Sequence, residues 1–227
     1  MIFYVPDVDA REVETPHSAH MLSMRVRYKD KIVVTDLKGN WARASVGNVD
    51  KKHKLVKYHL RKRGEVENTN SGVLVQAIPD KLYLEKLVEV GALQGMKKIY
   101  FYYSERSVRQ KIKEDRLQRI VLRACELSEH YWAPEIEFVE GNAVEGLLAE
   151  LKPVVLEASK VGKEAGLVET NERAEAILVG PEGGWSRGEL AGFKETGLKF
   201  ASLGETVYPA WLAGFAYFER QKNSSTS

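Results

Sequence analysis

From Ser23 to Val66 the chain runs in short apolar and polar alternations broken by turn residues, the period expected of half-buried strands. The stretch "MRVRYKDKIVVTDLKGNWARASVGNV" places Lys38-Gly39-Asn40 between two such runs, which predicts a hairpin turn. No 3.6-residue period is seen there, so the first 70 residues read as a small β-barrel. "VENTNSG", residues 66–72, is polar and turn-rich and reads as a linker. From residue 73 the period changes. "VLVQAIP" is an apolar run suited to a strand buried on both faces, and "DKLYLEKLVEVGAL" follows as a helix with Asp80 as N-cap. Its expected apolar stripe is Leu82, Leu84, Leu87, Val88 and Leu93. "KKIYFYYS" is a second strand. "EDRLQRIVLRACELSEHY" is a second helix, with Leu117, Ile120, Val121, Ala124 and Leu127 expected on one side. Strands at "EIEFVE", "PVVLEAS", "AEAILVG" and "LKFASLG" alternate with helices at "NAVEGLLAELK" and "SRGELAGFKETG". Such alternation predicts an α/β domain with a mostly parallel sheet over residues 71–227. "PAWLAGFAYFERQ" closes it as an apolar helix, with Trp211, Phe215 and Phe218 at helical spacing for either an intrachain core or a dimer face.

Composition narrows the class. The 227 residues are 44% hydrophobic and 29% charged, ordinary for a soluble globular protein. No apolar run approaches the roughly 20 residues of a membrane span, and no signal peptide is visible at the N-terminus, so a cytoplasmic protein is expected. Cys125 is the sole cysteine, which excludes a disulfide framework and a cysteine-based metal site. No metal constellation is read from the sequence.

The net charge of +2 conceals an asymmetry. Residues 1–70 hold 14 Lys and Arg against 9 Asp and Glu, while the remainder is slightly acidic. "KKHKLVKYHLRKR", residues 51–63, carries seven cations and no acid. A basic small unit joined to a larger one suggests that the first holds a polyanion and the second does chemistry. Lys51, Lys52, Lys54, Lys57, Arg61 and Arg63, with Arg25 and Arg27, are the candidate RNA contacts, mostly to phosphates. Tyr58 and Trp41 are either stacking residues or, by preference, core and rim packing.

"ILVGPEGGWSRGEL", residues 177–190, ends a strand in Gly180-Pro181 and starts a helix near Ser186. A tight glycine loop at the carboxyl end of a parallel strand is where open α/β sheets bind ligands. Glycine permits positive φ and leaves no Cβ between backbone and ligand. The loop lacks the Gly-Lys-Ser/Thr ending of a phosphate cradle and the spacing of a dinucleotide fingerprint, which leaves a flat or mixed polar ligand, or a plain turn.

That segment resembles the hallmark of the SPOUT-class RNA methyltransferases that make N3-methyluridine in small-subunit (16S) ribosomal RNA. Further segments match in order: "HMLSMRVRYKDKIVVTDLKGN", "DKLYLEKLVEVGALQGMKKIYFYYSERSV", and Arg116–Ser128 followed by Pro134-Glu135-Ile136. The correspondence spans roughly residues 15–218. The resemblance implies a PUA-like RNA-binding β-barrel (residues 1–70) ahead of a SPOUT α/β domain (71–227) with a C-terminal trefoil knot. It further implies a homodimer, ribosomal RNA or the small ribosomal subunit as partner, and S-adenosyl-L-methionine as cofactor. Carried over, the cofactor loops are Leu156-Glu157-Ala158, Gly180-Pro181-Glu182-Gly183-Gly184 and Ser202-Leu203-Gly204, with Tyr208. Arg106 of "SERS" matches an active-site arginine, and Glu126 and Glu182 are candidate bases; Glu182 could equally cap the following helix. After "SLG" the chain departs from the pattern: Pro209 stands where an arginine is expected, and Trp211 and Leu212 replace a Glu-Thr pair. An active methyltransferase and a re-purposed homologue that binds RNA without methylating the usual uridine both remain open.

Overall fold

The computed structural model describes residues 1–157 and 173–224. The chain forms two compact units, one of residues 1–69 with 118–133, the other of residues 70–117 with 134–227. The break at Thr69/Asn70 falls in the expected linker, but residues 118–133, expected in the second unit, group with the first.

The first unit is a curled five-stranded sheet in the order β1 (Ile2–Tyr4), β3 (Lys31–Thr35), β4 (Asn40–Asp50), β5 (Leu55–Glu65), β2 (Glu12–Val13). Helix α1 (Ser18–Ser23) belongs to it. The hairpin between β3 and β4 turns at Gly39, whose φ of +95° is the left-handed geometry the sequence required. Alternation along the strands sends Phe3, Val13, Ile32, Val34, Ala42, Ala44, Val46, Val56 and Tyr58 into one core. Tyr58 is 1% exposed, so its role is core packing and stacking is excluded. Burial pushes its phenol up to about 12. Trp41 is half-buried and lies against Gly64, where an added Cβ would sit 2.5 Å from its ring.

The second unit holds a six-stranded sheet in which all recorded pairings are parallel. Its order is β11 (Phe200–Ala201), β9 (Val154–Leu156), β10 (Ala176–Val179), β6 (Ser71–Ala77), β7 (Met96–Tyr102), β8 (Glu135–Phe138). Helices α2 (Lys81–Leu93), α3 (Glu114–Ser128), α4 (Ala143–Leu151), α5 (Arg187–Glu195) and α6 (Ala210–Ser224) alternate with the strands as the periodicity predicts, and α3 runs from the second unit into the first. Asp80 caps α2 by accepting the Leu82 N–H at 3.0 Å.

Two stripe residues are misplaced by the sequence reading. Leu82 is 61% exposed, because it lies about half a turn round the helix from Leu84, Leu87 and Val88. Leu127 is 74% exposed, because it lies about 100° round the helix from the centre of the buried stripe of Leu117, Val121, Ala124 and Cys125. Phe215 and Phe218 are intrachain core: an added Cβ at Gly72 would meet the Phe218 ring at 3.1 Å. Among the described residues no helix is long and apolar enough to cross a membrane.

Candidate active site

The parallel strands β9, β10 and β11 end at the same edge, and the end of β9 with the loops after β10 and β11 lines a cavity of about 530 Å³. The β10 loop is the glycine-rich segment. Gly184 N–H donates to Pro181 O at 2.9 Å to close a turn, and Gly184 has φ +65°. Gly180 is constrained differently: a Cβ there would press on the Trp185 ring at 3.1 Å. Trp185 is 5% exposed and its Nε1 donates to Leu156 O at 3.2 Å, tying the end of β9 to the β10 loop. Ser186 then caps α5 through a reciprocal capping box with Glu189, at 2.8 and 3.0 Å. Glu182 does not cap this helix; it accepts from the Asp80 N–H at 3.2 Å, at the start of α2.

The β11 loop turns on Gly204, with φ +83°, whose N–H donates to Ser202 Oγ at 2.9 Å. Arg220 from α6 holds this loop, donating through Nη1 to Leu203 O at 2.7 Å and through Nη2 to the Tyr208 hydroxyl at 3.4 Å. Positions corresponding to a Cβ on Gly184 and Gly204 meet nothing within 4 Å, so both backbones are open. The "SERS" segment folds as a turn closed by Ser107 N–H to Ser104 O at 3.2 Å. Glu105 N–H donates to Glu189 Oε1 at 3.1 Å, and Arg106 Nη1 donates to Gly183 O at 2.8 Å. The arginine is thereby laid across the glycine loop.

Of the sequence candidates, Leu156, Glu157, Gly180, Pro181, Glu182, Gly184, Leu203, Gly204 and Tyr208 line the cavity. Gly183 and Ser202 shape it from behind, through Arg106 and the Gly204 turn. Ala158 lies outside the described residues. Arg106 and Glu182 belong to the same loop cluster. Glu126 belongs to the first unit, is 8% exposed, and spends its carboxylate on Tyr4 N–H (2.9 Å) and His20 Nδ1.

Sequence reasoning missed Gln76. This fully buried amide at the end of β6 donates from Nε2 to Gly180 O at 3.0 Å and so fixes the mouth of the glycine loop. The signal was present: one polar residue inside an apolar strand. Arg220, Trp185, Thr206 and Val207 were missed as well.

The basic residues of the first unit form no single free strip. Lys51, Lys52 and Lys54 stand exposed in the turn before β5, while Lys57 pairs with Glu12 at 3.0 Å and Arg63 with Asp9. Arg61 is exposed beside Ser45, and Arg25 and Arg27 are exposed on the segment between α1 and β3. Among the described residues no group of three or more His, Cys, Asp or Glu is placed to hold a metal ion.

Three parallel strand ends, glycines open to the cavity and a laid-over arginine give this α/β domain a candidate ligand pocket. Residues 67–215 match the RNA methyltransferase domain family, and the chain belongs to that family. It is similar to the ribosomal RNA small subunit methyltransferase E of Helicobacter pylori, 28% identical over 178 residues, 76% of each chain. The Synechocystis protein of the same name is 36% identical over 106 residues, 43% of this chain and 34% of that one. A crystal structure of a ribosomal RNA small subunit methyltransferase E from Neisseria gonorrhoeae, bound to S-adenosyl methionine, superposes with a TM-score of 0.81 at 21% identity, covering 98% of this chain and 97% of that one. At that identity the likeness establishes the fold.

Proposed function

We propose that the protein transfers the methyl group of S-adenosylmethionine to N3 of a uridine in small-subunit ribosomal RNA. The observation that carries this reading is the cavity at the ends of β9, β10 and β11, with Arg106 fixed across its glycine loop. The residues fit the cofactor. The volume is within the range of small-molecule pockets. Leu156, Val179, Leu203 and Val207 offer apolar walls for a flat base, and Gly184 and Gly204 offer backbone with no Cβ in the way. Glu157 and Glu182 supply acceptors suited to ribose hydroxyls or a sulfonium. When bound, S-adenosylmethionine supplies an electrophilic methyl on a sulfonium sulfur.

The chain's own residues orient the acceptor. Uridine N3 must lose its proton as it attacks, which builds negative charge on O2 and O4. The Arg106 guanidinium has donors beyond the one given to Gly183 O and stabilises that charge. Glu182 is the carboxylate of the cluster that takes the N3 proton; a positioned base adds about 10²–10⁴-fold. Gln76 and Arg220 act at one remove, holding Gly180 and Leu203. The basic first unit grips the RNA by its phosphates, as a PUA-like module. The homodimer and the trefoil knot belong to the same reading and rest on the resemblance; work in the cytoplasm is the location consistent with a ribosomal RNA substrate.

The departure after the β11 loop favours a second reading, in which the chain binds RNA and cofactor without methylating the usual uridine. Trp211 stacks on Tyr83 at 6.1 Å with the rings 5° apart, and Lys86 lies over both, so an aromatic stack stands where the family pattern has polar residues. Incubating the protein with S-adenosylmethionine and unmodified small-subunit RNA, then assaying nucleosides by mass spectrometry, separates the two. N3-methyluridine in stoichiometric yield supports the first reading. Cofactor binding without that product supports the second.

A further inference from the structure

We infer that the first unit carries a built pocket for one unpaired nucleotide of the RNA; the inference rests on the RNA reading above. A second cavity of about 530 Å³ lies wholly within this unit, between the end of α1 with the segment after it and the end of β4. Its walls are of three kinds. Leu22, Val26 and Val49 are apolar, and Arg25, Arg27 and Lys51 are cationic. Tyr28 and Asn48 add an aromatic face and an amide. No acidic residue lines it.

The pocket is held by specific backbone contacts. Lys29 N–H donates to Val46 O at 2.8 Å and Val46 N–H returns to Asp30 O at 2.9 Å, docking the Arg27–Asp30 turn on β4. The turn's acid is used internally, since Asp30 Oδ2 accepts the Arg27 N–H at 2.7 Å. Arg25 and Lys29 have φ of 55° and 69°, a left-handed geometry that costs a side-chain-bearing residue about 1 kcal/mol and that glycine or asparagine would take more readily. Arg25 takes it one residue past the C-cap of α1, where its N–H donates to Leu22 O at 3.1 Å and turns the chain towards the cavity wall. Opposite, the β4–β5 register slips between Val46 and Asn48, and Gly47 at the slip faces His59, whose Nε2 would sit 2.7 Å from an added Cβ. A bulge there re-aims the strand beside the cavity.

Tyr28 is 64% exposed, so it is free of core duty, with Lys29 Nζ 5.2 Å from its ring centre. Paired RNA would need only surface cations. An apolar floor beside an exposed phenol ring suits an unstacked base, whose face stacks on tyrosine while its phosphates meet arginine and lysine. The Asn48 amide can both donate to and accept from a base edge.

The test uses the full chain and two RNA hairpins that differ by one unpaired bulge nucleotide, with fluorescence anisotropy at several salt concentrations. The wild type is expected to prefer the bulged hairpin. Tyr28→Ala should lower affinity for the bulged RNA about tenfold, as loss of one stacked base does, and change affinity for the paired hairpin less than about twofold. Lys52→Ala, an exposed cation that does not line the cavity, should weaken both RNAs equally and reduce the salt slope by about one. Equal binding of both hairpins by the wild type, or an equal effect of Tyr28→Ala on both, would overturn the pocket while leaving the RNA function standing. Failure to bind either hairpin would overturn both. Displacement of the bulged RNA by a polyglutamate peptide at comparable concentration would assign the cavity to acidic protein segments instead. Melting curves and circular dichroism confirm that each variant is folded.

Discussion

Two carboxylates, Glu126 in the first unit and Glu182 in the second, stand in opposite surroundings. Glu126 is buried on α3 and engaged by Tyr4 N–H and His20. Glu182 is exposed in a glycine loop, touches the first residue of a helix cap, and faces a cavity. A buried carboxylate with its oxygens committed holds structure together, and its removal strands its partners. An exposed one beside a pocket contributes little to stability and can exchange protons with a ligand. The same contrast separates the two units: one curls a mixed, mainly antiparallel sheet around a core and keeps its cations outside, the other buries a parallel sheet and puts its open backbone at the strand ends.

That contrast can be broken at several points. Glu182→Gln should cut methyl transfer at saturating cofactor about 100-fold or more if it takes the N3 proton; single-turnover rates with quantified N3-methyluridine would measure it. Glu126→Ala should destabilise the fold by about 2–3 kcal/mol in denaturant titration, the cost of leaving the Tyr4 N–H and the His20 ring without their partner. Glu182→Ala should shift the same titration by less than about 0.5 kcal/mol. Equal stability losses would erase the distinction. Gly204→Ala places a Cβ at φ +83° toward open cavity and should weaken cofactor binding about tenfold by calorimetry, as backbone strain of 1–2 kcal/mol implies. Smaller still is the difference among lysines. Lys52→Ala should reduce RNA affinity a few-fold at low salt, and Lys57→Ala, already paired with Glu12, should reduce it less.

A separate effect is a pH dependence in the first unit. Burial, with the neighbouring Glu126, raises the Cys125 thiol from 9.0 to about 12. Below 9.0 the thiol is neutral in folded and unfolded chains alike and its contribution to stability is intact. As pH rises towards about 12 the unfolded chain gives up its proton first, so stability falls. The midpoint of thermal unfolding should therefore drop across that window, and drop less in Cys125→Ala.

The order of strands and helices was legible because period 2 gives way to period 3.6 near residue 70 and each helix is bounded by turn or capping residues. Phase was less so: Leu82 and Leu127 are apolar residues at exposed positions, and composition alone does not reveal a helix's buried side. The glycine loop was legible through its excess of glycine, and the open backbones at Gly184 and Gly204 give that excess a reason. What holds the loops was hidden, because each tie joins distant positions in sequence: Gln76 to Gly180, Trp185 of the glycine loop to Leu156, and Arg220 to Leu203 of the β11 loop. The basic strip was visible as charge, but its pairing with Asp9 and Glu12 depends on which strands lie side by side. Glu126 came from resemblance, and its partners Tyr4 and His20 lie more than 100 residues away.

The central claim is that the cavity at the ends of β9, β10 and β11 binds S-adenosylmethionine. Titrating the cofactor calorimetrically into the wild type and into Gly204→Val tests it most directly. Saturable one-site binding by the wild type, lost or greatly weakened in a folded Gly204→Val variant, is the expected result. No binding by the wild type at millimolar cofactor, or unchanged binding by the variant, would contradict it.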